Sequence, residues 1–374
     1  MERIINSQRL LDCFRELVAI DSPSFGERAM ADELTARLEK LGFSVGEDDG
    51  AKKICGNAGN LFATLPGKLD MPPLLLCAHM DTVAPAFGKR AVAEPDGRVH
   101  SAGDTVLGAD DLAAVAEILE AVTALEEHGI PHRPVEVLFS AAEEAYCIGA
   151  SVFDFSAVRS REAYVLDYDG AVGTAANRAP TLLDFEITVR GKASHAGFAP
   201  EKGVSAVLTA AQAICRIPSG RVSPESTLNF GTIQGGTATN IVPECCRVRG
   251  EIRSLDDGYA FELLENLKKT FRLVCEENRA EFEIRERCLF HAYHVPADAP
   301  VARRYRKVCE NLGHKAAFTA TFGGSDNNWL AAHGIQGIVI ASAMHGCHTC
   351  GEYTSVQEMA EIAQITAELL CERG

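Results

Sequence analysis

The sequence has no apolar run approaching the roughly 20 residues that a helix needs to cross a bilayer. It also opens without the basic patch and short apolar stretch of a secretory leader. Neither a membrane span nor export is expected, and the reading is a cytoplasmic protein. Positive charge is scarce: 36 Lys and Arg face 52 Asp and Glu, a formal balance of -16. Such a surface repels phosphate backbones and anionic headgroups, which argues against nucleic acid and membranes as partners. The 13 cysteines are odd in number and lack the dense, regular spacing of a disulfide scaffold. Reduced, mostly buried thiols are therefore expected. One pair stands apart, Cys347 and Cys350, which bracket His348 as a C-x-x-C. A structural zinc site would need a second pair at matching spacing, and Cys245 and Cys246 are adjacent instead. Small residues packed beside a site are the leading reading, with a redox couple behind it. Internal repeats and low-complexity tracts are absent too.

Size and pattern are what the chain does have. Its 374 residues, 47% of them apolar, exceed the usual single domain and can bury two cores. Apolar residues recur at helical spacing from Leu10 to Val18. Ser24-Phe25-Gly26-Glu27 reads as a capping box ahead of a helix at 29–41 that Gly42 stops. Short apolar runs bounded by Pro and Gly follow at 60–65 and 74–78, as buried strands require. Leu112, Val115, Leu119, Val122 and Leu125 mark a helix closed by Gly129 and Pro131, with strands after it at 135–140 and 163–166. Strand alternating with helix indicates an α/β layer on a mostly parallel sheet. From Thr181 the order becomes β-α-β-β-α-β, with strands at 183–189, 227–233, 245–253 and 282–284 and helices at 204–217 and 259–275. Such a unit can form a four-stranded, ferredoxin-like α+β sheet with two helices on one face. A helix at 301–312 and a strand at 337–341 return to the first texture. The expected organisation is a discontinuous α/β domain, 1–179 with 291–374, interrupted by an inserted domain at 180–290.

Four apolar strands in this pattern end in residues able to bind metal. Leu74 to Ala78 leads to His79 and Asp81; Val137-Leu138-Phe139 leads to Glu143 and Glu144; Tyr164-Val165-Leu166 leads to Asp167; Ile338-Val339-Ile340 leads to His348. Open α/β sheets bind ligands outside the carboxyl ends of their strands, so the sequence sends these groups to one rim. Asp110 and Asp111 reach the same edge just ahead of the helix beginning near Leu112. A carboxylate such as Asp110 can bridge two cations, while imidazole and further carboxylates fill other positions and leave room for water. Adjacent glutamates with distinct roles, base and ligand, suit the proton transfer such water needs. Asp81 is placed to take the second imidazole N–H of His79 and fix the ring. Each fragment alone is more often a solvated pair, an N-cap or a packed histidine; their joint occurrence at matched strand ends reverses that weighting.

Several of these stretches resemble a known family. His79-Met80-Asp81-Thr82-Val83, Gly108-Ala109-Asp110-Asp111, Glu143-Glu144, Gly235-Gly236-Thr237-Ala238-Thr239-Asn240 and His348-Thr349-Cys350-Gly351-Glu352-Tyr353 are similar to motifs of the di-zinc exopeptidases related to carboxypeptidase G, aminoacylase and peptidase T. Leu107-Gly108-Ala109-Asp110-Asp111 and Ala163-Tyr164-Val165-Leu166-Asp167 look most like its peptidase T-like members. The motifs run in order through nearly the whole chain. The resemblance implies two divalent ions, zinc first, with cobalt or manganese accepted by the same donors. One ion would be held by Asp110, Glu144 and His348 and the other by Asp110, His79 and Asp167, with Glu143 as general base on a metal-bridging water. Asp169 is a rival for Asp167, which is preferred because it directly ends its strand. A cis peptide from Asp110 to Asp111 is implied as well. The inserted domain would be a lid, in which His195 polarises the scissile carbonyl while Asn240 and Arg253 grip the substrate carboxylate. For Arg253 a surface salt bridge is the plain alternative, and for Gly323-Gly324-Ser325-Asp326, which resembles a glycine-rich loop near the site, it is a turn. Relatives often pair through their lids, so a homodimer in which His195 serves the neighbouring subunit is also implied. The chain departs from the pattern at Leu112, where the family usually has Lys. The expected activity is hydrolysis of short peptides by an aminopeptidase or tripeptidase. N-acyl amino acid hydrolysis or carboxypeptidase action on the same centre is the alternative, and a zinc-binding protein without turnover is a third reading.

Overall fold

The computed structural model describes residues 3–372. They form two compact units, 3–178 with His294–Ala320 and 325–372, and Ala179–Tyr293 with Thr321–Gly324.

The first unit is built on a nine-stranded sheet whose central order is Ser44–Glu47, Leu61–Leu65, Val135–Ser140, Leu74–His79, Glu162–Tyr168, Gln336–Ala341 and Thr174–Ala179. Leu74–His79 runs parallel to both its neighbours, with Leu74 opposite Val135 and Leu75 opposite Ala163. Gln336–Ala341 is parallel to Glu162–Tyr168 in turn. Four strands therefore deliver their carboxyl ends to one edge. Every residue of Leu74–His79 and of Val135–Ser140 is buried, which is why their sequences are continuous rather than alternating apolar runs. Helix Ala109–Glu127 packs on Leu74–His79 and Glu162–Tyr168 and against helices Ser7–Val18 and Val356–Cys371. A separate four-stranded sheet takes in Ala91–Ala93, Arg98–Ser101, Met344–His345 and Tyr353–Ser355. Its Met344–His345 and Tyr353–Ser355 strands pair antiparallel, so His348 sits in a hairpin rather than directly on the end of the Gln336–Ala341 strand.

The capping box expected at Ser24 to Glu27 does not form. Helix Arg28–Lys40 starts without a side-chain cap, because the Ser24 hydroxyl donates to Asp81 Oδ2 at 2.7 Å. Glu27 Oε1 accepts instead from the Phe25 and Ala142 amides. Both side chains serve the strand ends, a demand that outweighs capping.

The second unit is an antiparallel sheet of five strands in the order Gly220–Ser223, Ser226–Gly235, Cys245–Ser254, Thr181–Arg190 and Glu281–Phe290. Alternate residues Leu183, Phe185, Ile187 and Val189 point into a core shared with helices Ala206–Cys215 and Asp257–Asn278. The sheet has one strand more than the sequence pattern indicated, since Gly220–Ser223 is a short edge strand without apolar alternation. Thr321–Gly324 also joins this unit, although the sequence reading left it with the α/β part. Arg253 Nη1 donates to the Phe322 carbonyl at 2.8 Å, and the Arg221 guanidinium lies 4.3 Å from the centre of the Phe322 ring. Gly324 faces the Phe290 ring closely enough that no Cβ would fit.

Candidate active site

Strand geometry delivers the acidic and imidazole groups of the first unit to one place. His79 is the last residue of its strand, and Asp167 is next to last in Glu162–Tyr168. Glu143 and Glu144 follow the turn after Val135–Ser140. Asp110 and Asp111 lie in the first turn of Ala109–Glu127 with non-helical backbone angles, and the peptide between them is cis.

The Asp110 carboxylate joins the two histidines, one to each oxygen. His79 Nε2 is 3.1 Å from Oδ1 and His348 Nε2 is 3.2 Å from Oδ2, and His348 Nε2 also lies 3.1 Å from Glu144 Oε2. Donor atoms of His79, Asp110 and Glu144 lie within 4.8 Å of one another, as do those of His79, Asp111 and Asp167. Asp169, the rival, is about half exposed and sits 3.6 Å from His345 Nδ1. On the far side of the His79 ring, Nδ1 is 2.9 Å from the Asp81 main-chain oxygen and 3.3 Å from Asp81 Oδ1. The shorter contact to the carbonyl requires an N–H at Nδ1, and Nε2 is the ring nitrogen that meets Asp110. Asp81 is buried, and its carboxylate accepts from the Glu143 and Glu144 amides and the Ser24 hydroxyl. Its larger task is thus to hold the turn that carries both glutamates.

The electrostatics follow from this crowding. Burial pushes Glu143, Asp111 and Asp167 far above the usual carboxylate range, and neighbouring carboxylates push them further. Burial acts the same way on Asp110, but hydrogen bonds from His348 and His79 prevail and hold it well below that range. His348 is raised to about 10 by its bonds to Asp110 and Glu144. Asp111 Oδ1 and Glu144 Oε1 are buried and meet no hydrogen-bond partner among the described residues. Orphaned carboxylate oxygens beside two imidazoles are the donor set of borderline divalent cations, so these residues fit a metal centre.

The other expected residues lie in the second unit. His195 is exposed, and its Nδ1 accepts from the Gly197 and Phe198 amides at 3.1 and 3.2 Å. Asn240 is exposed, and its main-chain oxygen accepts from the Ala196 amide. Arg253 is engaged within its own unit by Glu251, 2.8 Å from Nε, besides the Phe322 carbonyl.

Three acids that hold the site were given no role by the sequence reading. Both oxygens of Glu352 accept, from the Gly108 and Asp110 amides at 2.7 and 2.9 Å, and so fix the backbone on either side of Ala109. Asp111 Oδ2 accepts from the His79 amide at 3.0 Å. Glu27 anchors the Ala142 amide, while burial and the charge of Asp81 raise it to about 7. Glu352 and Asp111 lay inside the quoted motifs, so a signal existed; Glu27 was read as a cap. Lys89, buried under Gly108, places Nζ 3.1 Å from the Thr82 hydroxyl, and burial lowers it to about 8.

Residues 179–283 match the family described as a peptidase dimerisation domain, M20_dimer, and residues 60–200 match peptidase family M28. The uncharacterised protein YqjE of Bacillus subtilis (strain 168) is 34% identical over 367 residues, covering 98% of this chain and 99% of that one. Among solved structures, the aminopeptidase PepT of Bacillus cereus ATCC 10987 is 35% identical with a TM-score of 0.93, and coverage is 98% of each chain. A tripeptidase of Staphylococcus aureus is 32% identical with a TM-score of 0.95, again over 98% of each. Likeness of this extent in sequence and fold places the chain in the M20 metallopeptidase family, among its peptidase T-like members.

Proposed function

We propose that this chain is a two-metal exopeptidase that releases the amino-terminal residue of short peptides, tripeptides foremost. The observation that carries the reading is the Asp110 carboxylate set between His79 and His348, with Glu144 in the same cluster and buried Glu143 next to it in the chain. His79 and Asp167 would hold one ion, Glu144 and His348 the other, and Asp110 both, with Asp111 close enough to His79 and Asp167 to assist. Two divalent cations held there, zinc by the donor set, would supply Lewis acidity for the scissile carbonyl and would acidify water. Glu143 is the base: the Asp81 anchor on its amide and the Cys147 thiol on Oε1 fix where it receives a proton. With two amide N–H groups donating to Nδ1, that nitrogen is the acceptor and the ring proton of His195 lies on Nε2. That N–H suits the developing oxyanion of a peptide carbonyl. Arg253 could bind a substrate carboxylate by exchanging its partner Glu251 for it. The M20_dimer match supports pairing of two chains through the inserted unit, and the absence of a membrane-crossing helix among the described residues is compatible with a cytoplasmic setting.

A panel of tripeptides, dipeptides and N-acetyl amino acids, assayed with added zinc, tests the substrate class. Tripeptides should be cleaved fastest, and turnover confined to N-acetyl compounds would remove the peptidase reading. Glu143→Gln should keep both ions and lower kcat by about 10³-fold, at the middle of the range for general base catalysis. A variant with wild-type kcat would show that the proton goes elsewhere.

A further inference from the structure

Beside the groups already assigned lies a second buried donor cluster. A carboxylate oxygen each from Glu143 and Asp326 and the Cys147 sulfur lie within 4.8 Å of one another. None of the five proposed ligands belongs to it. Glu143 and Cys147 come from one turn, with the thiol 3.1 Å from Glu143 Oε1. Asp326 opens helix Asp326–Ala332 beneath its Ser325 cap, and its Oδ2 accepts from the Ser140 hydroxyl. The other oxygen, Asp326 Oδ1, meets no hydrogen-bond partner among the described residues, although the residue is only 2% exposed. A buried carboxylate oxygen without a donor calls for a ligand. The sulfur decides which: thiolate with carboxylate selects soft and borderline cations over magnesium or calcium.

We propose that Glu143, Cys147 and Asp326 form a third cation site, which takes cadmium, or zinc in excess, and withdraws Glu143 from its work as a base. On binding, the Cys147 S–H bond breaks, its proton passes to water, and the sulfur pair forms the bond to the ion; nothing is oxidised or reduced. Only the inhibitory half of the proposal rests on Glu143 as the base. The binding half stands on the geometry of the cluster.

The test titrates the two-metal holoenzyme with cadmium alone. Resident metal content, cadmium bound, thiolate-to-cadmium charge-transfer absorption and hydrolysis are followed together. The wild type should bind one further ion with a rise in that absorption, keep both resident ions and lose activity in step. Cys147→Ser, matched beforehand in thermal midpoint and resident metal, should lack that rise and need at least ten-fold more cadmium for the same loss. Asp326→Asn should keep the absorption and bind more weakly, which guards against a fault peculiar to the serine variant. A Cys147→Ser titration identical to wild type, or cadmium that enters only by displacing a resident ion, would overturn the site. Full activity with the third ion bound would overturn the inhibition. A holoenzyme that cleaves no peptide but binds the ion through Cys147 would support the site and count against the peptidase reading alone.

Discussion

Glu117 lies within helix Ala109–Glu127, buried, and neither carboxylate oxygen meets a hydrogen-bond partner among the described residues. Burial, aided by the charge of Glu358, raises it well above its ordinary value of 4.5. The folded chain therefore keeps a proton that the unfolded chain has released. By linkage, the contribution of this group is full below about 4.5 and is lost as the pH rises through the folded value. An unsatisfied buried polar group costs about 1–3 kcal/mol, so Glu117→Leu should stabilise the chain by roughly that amount at pH 8 and by less at pH 5. Denaturant melts at the two pH values check this, and an equal change at both would mean that Glu117 is not protonated by folding. Contrast Glu120 on the same helix, which accepts from the Asn6 amide and the Arg9 guanidinium. The sequence cannot tell these two glutamates apart, because their difference lies in what the neighbouring helix brings opposite them.

At the scale of elements, the turn from Ala141 to Gly149 carries the two glutamates and is braced from several sides. Asn60 accepts from the Ala141 amide and donates to the Gly149 carbonyl, Glu27 takes the Ala142 amide, and Asp81 takes the next two. A Cβ on Gly149 would run into the Ala141 carbonyl oxygen, which is backbone and cannot swing away. Gly149→Ala should therefore lower stability by about 1–3 kcal/mol, as overpacking does, and reduce bound metal together with activity. Thermal melting with metal analysis reads both, and a wild-type melt would show that the turn has slack. Which elements exist was legible wherever a strand is buried on both faces, as at Leu74–His79, because burial leaves an unbroken apolar run. The edge strand Gly220–Ser223 left no such trace, and the Ser24 to Glu27 pattern misled because an oxygen suited to capping a helix suits a loop amide equally well.

For the whole molecule, the rim of the first unit concentrates Asp110, Asp111, Glu143, Glu144, Asp167 and Asp326 around two imidazoles. Folding that brings so many carboxylates together needs compensating charge. Removal of metal by a chelator should lower the melting temperature, and zinc should restore it. A free ion at 1,000 times its Kd stabilises a folded chain by about 4 kcal/mol. Calorimetry of chelated and reloaded protein decides this, and identical melts would mean that the cluster neutralises itself with protons.

The sequence by itself determined the class of each layer, the strands that end in His79, Glu143, Glu144 and Asp167, and through its motifs the family. These are properties of local periodicity and of which residue follows a strand. The resemblance already implied that Asp110 is shared between His79 and His348; only the tertiary structure decided that Asp81, Glu27 and Glu352 hold loop amides, and that Cys147 and Asp326 meet at Glu143. Each of those meetings joins residues from separate elements, and hydrogen-bond partners at that range are set by how the layers pack, which no local pattern encodes.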